Sequence, residues 1–303
     1  MPSNEPGPGR PGGSGHEPVL DHVRWIAHPV LERPIVLVAF EGWSDAGDAA
    51  SSAVRFIGEQ HDAQPFATID PEVFFDFSST RPRVQFDDEL QRQIVWPDTT
   101  VSSCAIGDDA TPLVTIVGSE PQLRWRTFAE QIVGIARLYE ARLVLTFGAL
   151  LAEVPHTRPV SVFGTADDRE LIDQLGLLPS RYEGPTGMTG VLQSWCRQAG
   201  LHSAALWAAV PTYVPSAPSP KAALALVDRA SQLLEIPIET TELEIASASY
   251  ERQVSELVSD DAETTDYVEQ LERRFDDDDH DPFGDDEESL VDEVERFLRD
   301  QRD

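Results

Sequence analysis

Four short apolar runs, set apart by amphipathic segments, constrain the fold of this chain more than any other feature. They are Ile35-Val-Leu-Val-Ala-Phe40, Leu113-Val-Thr-Ile-Val117, Leu143-Val-Leu-Thr-Phe147 and Ala204-Ala-Leu-Trp-Ala-Ala-Val210. Each run is continuous rather than alternating, the pattern of a strand buried on both faces. Helical periodicity lies between them. It runs through Ala49, Ala50, Ala53, Val54 and Ile57, then over about Gln122 to Glu140, Met188 to Ala199 and Pro220 to Glu235. Strands interleaved with helices predict βαβ units, and hence a three-layer α/β/α domain with a largely parallel central sheet. Val73–Phe77 and Val84–Phe86 flank a Ser-Ser-Thr-Arg-Pro turn and read as a hairpin or edge insertion. Leu257, Val258, Tyr267, Val268, Leu271 and Phe275 predict C-terminal helices over 241–275.

Charge excludes several function classes. With 23 Lys plus Arg against 54 Asp plus Glu, the net charge is 23 − 54 = −31. Phosphate backbones and anionic membranes both repel such a surface, so neither nucleic acid nor a membrane is an expected partner. A hydrophobic content of 41% still permits a sizeable core. Two cysteines, Cys104 and Cys196, are too few for a disulfide framework and suit a reducing compartment. The longest uncharged, mostly apolar run, Leu143 to Ala152, is about half of the roughly 20 residues a membrane helix needs. Residues 1–18 hold five Gly and five Pro with no apolar stretch; they read as a disordered tail, unlike a signal peptide. The expectation is a soluble cytoplasmic protein.

The excess charge is concentrated at one end. Glu251 to Asp303 contains 22 acids and 6 bases, a net of 6 − 22 = −16. Residues 276–288 read as an acidic linker. A calcium loop starting at Asp277 fails, because Pro282 stands where the sharp turn needs Gly. Beyond it, Leu290, Val291, Val294, Phe297 and Leu298 share one face of a helix over 289–303, with Ser289 placed as its N-cap. That face requires a cover: the domain itself, a sister subunit or a partner's groove.

The turns that follow the strands are where an α/β sheet gathers ligands. Gly42-Trp-Ser-Asp-Ala-Gly47 has P-loop glycine spacing, but Asp48 follows where a lysine is needed. It is not a nucleophile elbow either, since Gly-x-Ser-x-x-Gly is one residue too long. Asp45 as a helix cap, with the glycines allowing a tight turn, is the simpler reading. Gly184-Pro-Thr-Gly-Met-Thr-Gly190 opens a helix; its free N–H groups suit an anion, and Thr186 is equally placed as an N-cap with the glycines packing closely. In Glu153-Val-Pro-His-Thr-Arg158, His156 is either an acid/base group or structural. The scattered histidines and cysteines form no zinc pattern. Glu41, Trp43, Asp45, His156, Gly184, Thr186 and Gly187 are therefore ligand-binding candidates. Leu290, Val291, Val294, Phe297 and Leu298 are partner-binding candidates. No catalytic residue, metal or cofactor is assigned.

Several spaced segments also carry a family resemblance. They are Phe40-Glu-Gly-Trp-Ser-Asp-Ala-Gly47, Arg81-Pro-Arg-Val84, Gly148 to Pro159, Gly184-Pro-Thr-Gly187, Trp207-Ala-Ala-Val-Pro-Thr-Tyr213 and Pro218-Ser-Pro-Lys221. Together they resemble a bacterial, actinobacterial-type member of the proteasome assembly chaperone 2 family, over about residues 33–240. The resemblance implies a three-layer fold similar to nucleoside phosphorylases and related hydrolases, covering 19–240. It implies a non-enzymatic protein-binding factor, homo-oligomeric and preferably trimeric, with proteasome subunits as partners. The rival reading is a nucleoside- or nucleotide-binding, hydrolase- or phosphorylase-like enzyme with its pocket between the 41–48 and 184–190 turns. Relatives that engage proteasomes often end in a hydrophobic residue, a tyrosine and any residue. This chain ends Gln301-Arg302-Asp303, so that docking motif is not carried over.

Overall fold

The computed structural model describes residues 20–277, apart from 88, 181 and 216. The expected N-terminal tail, the acidic linker beyond 277 and the helix with Leu290, Val291, Val294, Phe297 and Leu298 lie outside the described residues. In chain order the elements are β1 Val23–Trp25, β2 Ile35–Glu41, α1 Ala49–Gln60, β3 Gln64–Ile69, β4 Arg83–Phe86 and β5 Arg92–Val95. Next come β6 Thr99–Ile106, β7 Thr111–Ser119, α2 Trp125–Leu138, β8 Leu143–Ala152, β9 Val162–Ala166 and α3 Arg169–Leu175. The chain continues with β10 Leu178–Pro179, α4 Met188–Gln198, β11 Ser203–Pro211, α5 Pro220–Leu234, α6 Thr241–Ser259 and α7 Ala262–Asp277.

Nine strands form one sheet in the order β1-β3-β6-β7-β2-β8-β11-β9-β10. The four apolar runs are its centre, β7-β2-β8-β11, and all three pairings there are parallel. The margins are mostly antiparallel: β6 with β7, β3 with β6, β1 with β3, and β9 with β11. The three-layer α/β architecture is therefore present, with a sheet that is parallel at its heart and mixed overall.

Burial on both faces explains the continuous runs. Along β2, Ile35, Leu37 and Ala39 pack with α1 and α5 on one face. Val36, Val38 and Phe40 pack with α2 and α4 on the other. The helices supply matching stripes, such as Ala50, Ala53, Val54 and Ile57 from α1, or Phe128, Ile132 and Ile135 from α2. α5 begins at a Ser219 N-cap followed by Pro220, with Ser219 Oγ accepting from the Ala222 N–H. No helix among the described residues is long and apolar enough to cross a membrane.

The insertion differs from expectation. Val73 to Phe77 is not a strand: Asp70 and Pro71 start a 3-10 turn, with the Asp70 carboxylate accepting from the Glu72 N–H. Phe74 and Phe75 then drop into the core. The hairpin instead joins β4 to β5, around a turn in which Asp87 accepts from the Glu89 and Gln91 N–H groups. The acidic run also starts earlier than a linker would, since Asp276 and Asp277 form the end of α7.

Candidate functional site

Because β2, β7, β8 and β11 are parallel, the loops after them meet at one edge of the sheet. These are the 41–48 turn, the loop at Glu120, the 153–158 loop and the loop from Tyr213 to Ser219. The first residue of α4 joins them. The sequence-predicted residues sit at this edge in three separate groups.

The first group joins the two glycine turns. The turn after β2 is tied down by the Ala149 N–H, which donates to the Ser44 carbonyl at 2.8 Å. Gly47 takes φ +59°, and a Cβ there would stand 2.9 Å from the Ser219 Cβ, so this turn requires glycine. Asp45 does cap α1, from three residues outside the helix's flanking position Asp48. Its Oδ1 accepts from the Ala50 N–H at 2.7 Å and the Ser51 N–H at 3.1 Å. Burial raises its pKa above the ordinary carboxylate value, and the bonds from Ser51 and Ala50 oppose the rise.

At the start of α4 a carboxyl group of the chain itself is already in place. Glu120 Oε1 accepts from the Met188 N–H at 2.7 Å. A Cβ on Gly187 would meet Ser44 Oγ at 2.6 Å, Glu120 Oε1 at 2.8 Å and Trp43 Cε3 at 3.0 Å. Burial raises the Glu120 pKa, and the Met188 N–H counteracts it. Thr186 packs against Gly190, and Tyr182 lies over Gly184 with its hydroxyl donating to the Pro185 carbonyl at 2.7 Å. Sequence reasoning brought these two turns together but missed Glu120, which lies 68 residues before Met188 with no local motif around it.

The second group is built on His156. It is buried, and its two ring nitrogens are both engaged, Nδ1 with Tyr213 Oη at 2.8 Å and Nε2 with Ser255 Oγ at 2.9 Å. The directions follow from the neighbours. Tyr213 Oη accepts the His156 backbone N–H at 2.7 Å, so its own proton goes to Nδ1. Ser255 Oγ donates to the Glu251 carbonyl at 2.8 Å, so it accepts from Nε2–H. This relay needs the neutral Nε2–H imidazole. Burial and the Lys221 charge hold the His156 pKa below its ordinary value, against the pull of Glu251 and Glu272.

Lys221 completes the clamp, donating to the His156 carbonyl at 2.6 Å and to Glu251 Oε2 at 2.5 Å. Next along the loop, Thr157 bonds Glu272, and Arg158 grips Asp276 with two bonds of 2.7 and 2.6 Å. The 153–158 loop is thus the seat of α6 and α7, and His156 does not share a pocket with Asp45 or Thr186. Tyr213 and Lys221 were not predicted as site residues. Two signals were available: both residues end segments that carry the family resemblance, and Lys221 is the sole lysine in 303 residues.

The third group opens onto a cleft of about 800 Å³ on the α1 side of the sheet, beneath the β4–β5 hairpin. Glu41, Arg55, Arg81, Arg83, Trp96 and Asp98 are among its walls. Glu41 is held there by an ion pair with Arg55 and by the Ser119 hydroxyl at 2.9 Å. Among the described residues, no cluster of His, Cys, Asp and Glu is arranged for a metal ion. Burial pushes the thiols of Cys104 and Cys196 up to about 11 and about 12, which keeps them protonated.

The family model described as the PAC2 family matches residues 39–258, which spans all the strand-end loops above. The chain belongs to the PAC2 family. A PAC2 family protein from Streptomyces avermitilis is 40% identical, with a TM-score of 0.71 over 78% of this chain and 99% of that one. A proteasome-assembly chaperone homologue from Mycobacterium tuberculosis is 39% identical, with a TM-score of 0.70 over 77% of this chain and 99% of that one. An archaeal homologue of proteasome-assembly chaperone from Pyrococcus furiosus shares the fold, at 18% identity and a TM-score of 0.57 over 83% and 99%. Among functionally curated proteins, no similar sequence is found.

Proposed function

We propose that this PAC2 protein is an assembly factor that binds protein subunits, those of the proteasome first, through its surface rather than by chemistry. It would work in the cytoplasm as a homo-oligomer, with a trimer favoured. The carrying observation is the filled junction between the two glycine turns. At Gly187 even a methyl group would collide with Ser44 and Glu120. At the helix start suited to an anion, the chain's own Glu120 takes the Met188 N–H. A small-molecule enzyme would need that space open. Relatives named as proteasome-assembly chaperone homologues add support from outside the chain.

The test mixes the purified full-length protein with purified actinobacterial proteasome α-subunits and follows mass by light scattering. A co-eluting complex, and a mass of three chains for the protein alone, is the expected result. Failure to bind either free α-subunits or assembled particles, together with saturable nucleotide binding that Asp45→Asn abolishes, would favour the enzyme instead.

A further inference from the structure

Antiparallel strands can leave one face of a sheet open, and beside α1 that open face is the floor of the cleft. Thr100 and Ser102 of β6 pair in register with Val117 and Thr115 of β7, and all four line it. The hydroxyls of Thr100 and Ser102 make no hydrogen bond among the described residues. One wall is α1, with Arg55 and Glu59. The other is the hairpin, where Arg81, Arg83 and Gln85 line the cleft at every second position while Val84 and Phe86 do not. Trp96 adds an aromatic surface, packed on Phe77 at 4.9 Å between ring centroids and still 45% exposed.

The two hairpin cations are left unanswered. Arg55 is spent on Glu41, which the Ser119 hydroxyl also holds. Asp98 feels the charges of Arg24 and Asp70 rather than those of the hairpin guanidiniums. Glu59 forms no ion pair among the described residues, and neither do Arg81 and Arg83. With 54 acids against 23 bases, carboxylate partners are plentiful in this chain. Arg24, Arg55, Arg158 and Arg274 each hold one. Two neighbouring guanidiniums without a carboxylate, at the mouth of a cleft, are the exception.

We propose that this cleft binds a small organic oxyanion, its phosphate or carboxylate on Arg81 and Arg83 and its body on the hydroxyls of Thr100 and Ser102. A guanidinium is a planar fork that matches two oxygens of either anion, and charge-assisted bonds of this kind are the strong ones. The volume of about 800 Å³ lies within the roughly 300–1,000 Å³ of small-molecule pockets. The polar floor suits a hydroxyl-bearing ligand better than a protein partner, whose interface core is more apolar. Arg81-Pro-Arg-Val84, to which the assembly reading gives no task, gains one here. The inference goes beyond that reading and stands whether or not the protein binds proteasome subunits.

Isothermal titration calorimetry on the full-length protein tests it, at pH 7.5 and about 150 mM salt, where long-range repulsion from the acidic surface is screened. Ribose 5-phosphate and citrate are the test ligands, with ribose and inorganic phosphate as controls. One of the two should bind once per chain with a Kd below about 1 mM, and which one does so separates phosphate from carboxylate. Ribose should not bind. Arg81→Gln with Arg83→Gln should weaken binding about tenfold or more, and Ser102→Ala roughly 2- to 10-fold. Arg92→Gln, on the same hairpin but outside the cleft, should bind as the wild type does. All three arginines are exposed, so unchanged thermal midpoints are expected. No saturable binding of either ligand would overturn the proposal. So would wild-type affinity in the Arg81/Arg83 variant, or an equal loss in Arg92→Gln, which would mean surface charge alone. Inorganic phosphate binding as tightly as the organic ligands would overturn it as an adventitious ion only.

Discussion

Removing the Tyr213 hydroxyl should undo the seat of the C-terminal helices. In Tyr213→Phe the ring remains, so its edge contact with Tyr267 at 6.1 Å persists and no cavity opens. What disappears is one oxygen that accepts the His156 backbone N–H at 2.7 Å and bonds Nδ1 at 2.8 Å. His156 is only 3% exposed, so water does not easily replace either bond. A buried group left without its partner costs about 1–3 kcal/mol. Two such groups, partly relieved by relaxation, give an expected loss of about 2–4 kcal/mol. Urea unfolding at pH 7.5 measures it, with an unchanged m-value showing that the unfolded state is the same.

A second readout is local. Lys221 is the sole lysine and is covered by Glu251 of α6, so an amine-reactive label, mapped by peptide, reports undocking at that position. If α6 and α7 release as a unit, labelling should rise by roughly 25- to 700-fold, the same free energy expressed as a population. Tyr267→Phe, as a control, should stay within about 0.5 kcal/mol. A Tyr213→Phe protein that loses less than about 0.5 kcal/mol and labels at the wild-type rate would refute the relay as what holds these helices.

Gly187→Ala should cost about 1–3 kcal/mol by thermal or urea unfolding, from overpacking alone, because Gly187 has an ordinary φ of −88°. Glu120→Ala should cost about 1.5–3 kcal/mol through the lost charged bond to Met188, whereas Glu120→Gln keeps an acceptor and should lose less than half of that. Asp45→Asn should stay within about 1 kcal/mol at pH 7, since Oδ1 still caps α1 and the substitution removes a charge that burial penalises. His156 has a folded pKa below its ordinary 6.5, so the unfolded chain takes up its proton first. Its contribution is therefore present above pH 6.5 and is lost as pH falls through the folded value. Urea midpoints from pH 7.5 to 5.5 should drop more for wild type than for His156→Gln, which cannot titrate.

The insertion shows where local pattern misled. Val73–Phe77 looked like a strand because its residues are apolar and aromatic, yet Asp70 and Pro71 begin a turn that sends Phe74 and Phe75 into the core. Tertiary burial overrode β-propensity there. The two glycine turns were legible as a meeting place, because glycines after a strand and before a helix mark close approach. The residue filling the anion position was not. Glu120 reaches Met188 only because β7 and β2 are paired in parallel, and a pairing partner leaves no mark on a single acidic residue.

From the sequence alone came the layers of the domain. Runs buried on both faces, spaced by amphipathic helices, admit few arrangements other than a parallel-centred sheet between helices, because backbone pairing and apolar burial must be satisfied together. Which strand-end loops share a neighbourhood was decided by strand order. Placing β2 between β7 and β8 joins Ser44, Gly187 and Glu120 into one filled junction. Docking α6 and α7 on the 153–158 loop draws His156 away from that junction into a relay with Tyr213 and Ser255. The two histidine roles open in the sequence, proton transfer and structure, differ only in what surrounds the ring, and those surroundings come from residues 57 and 99 positions away.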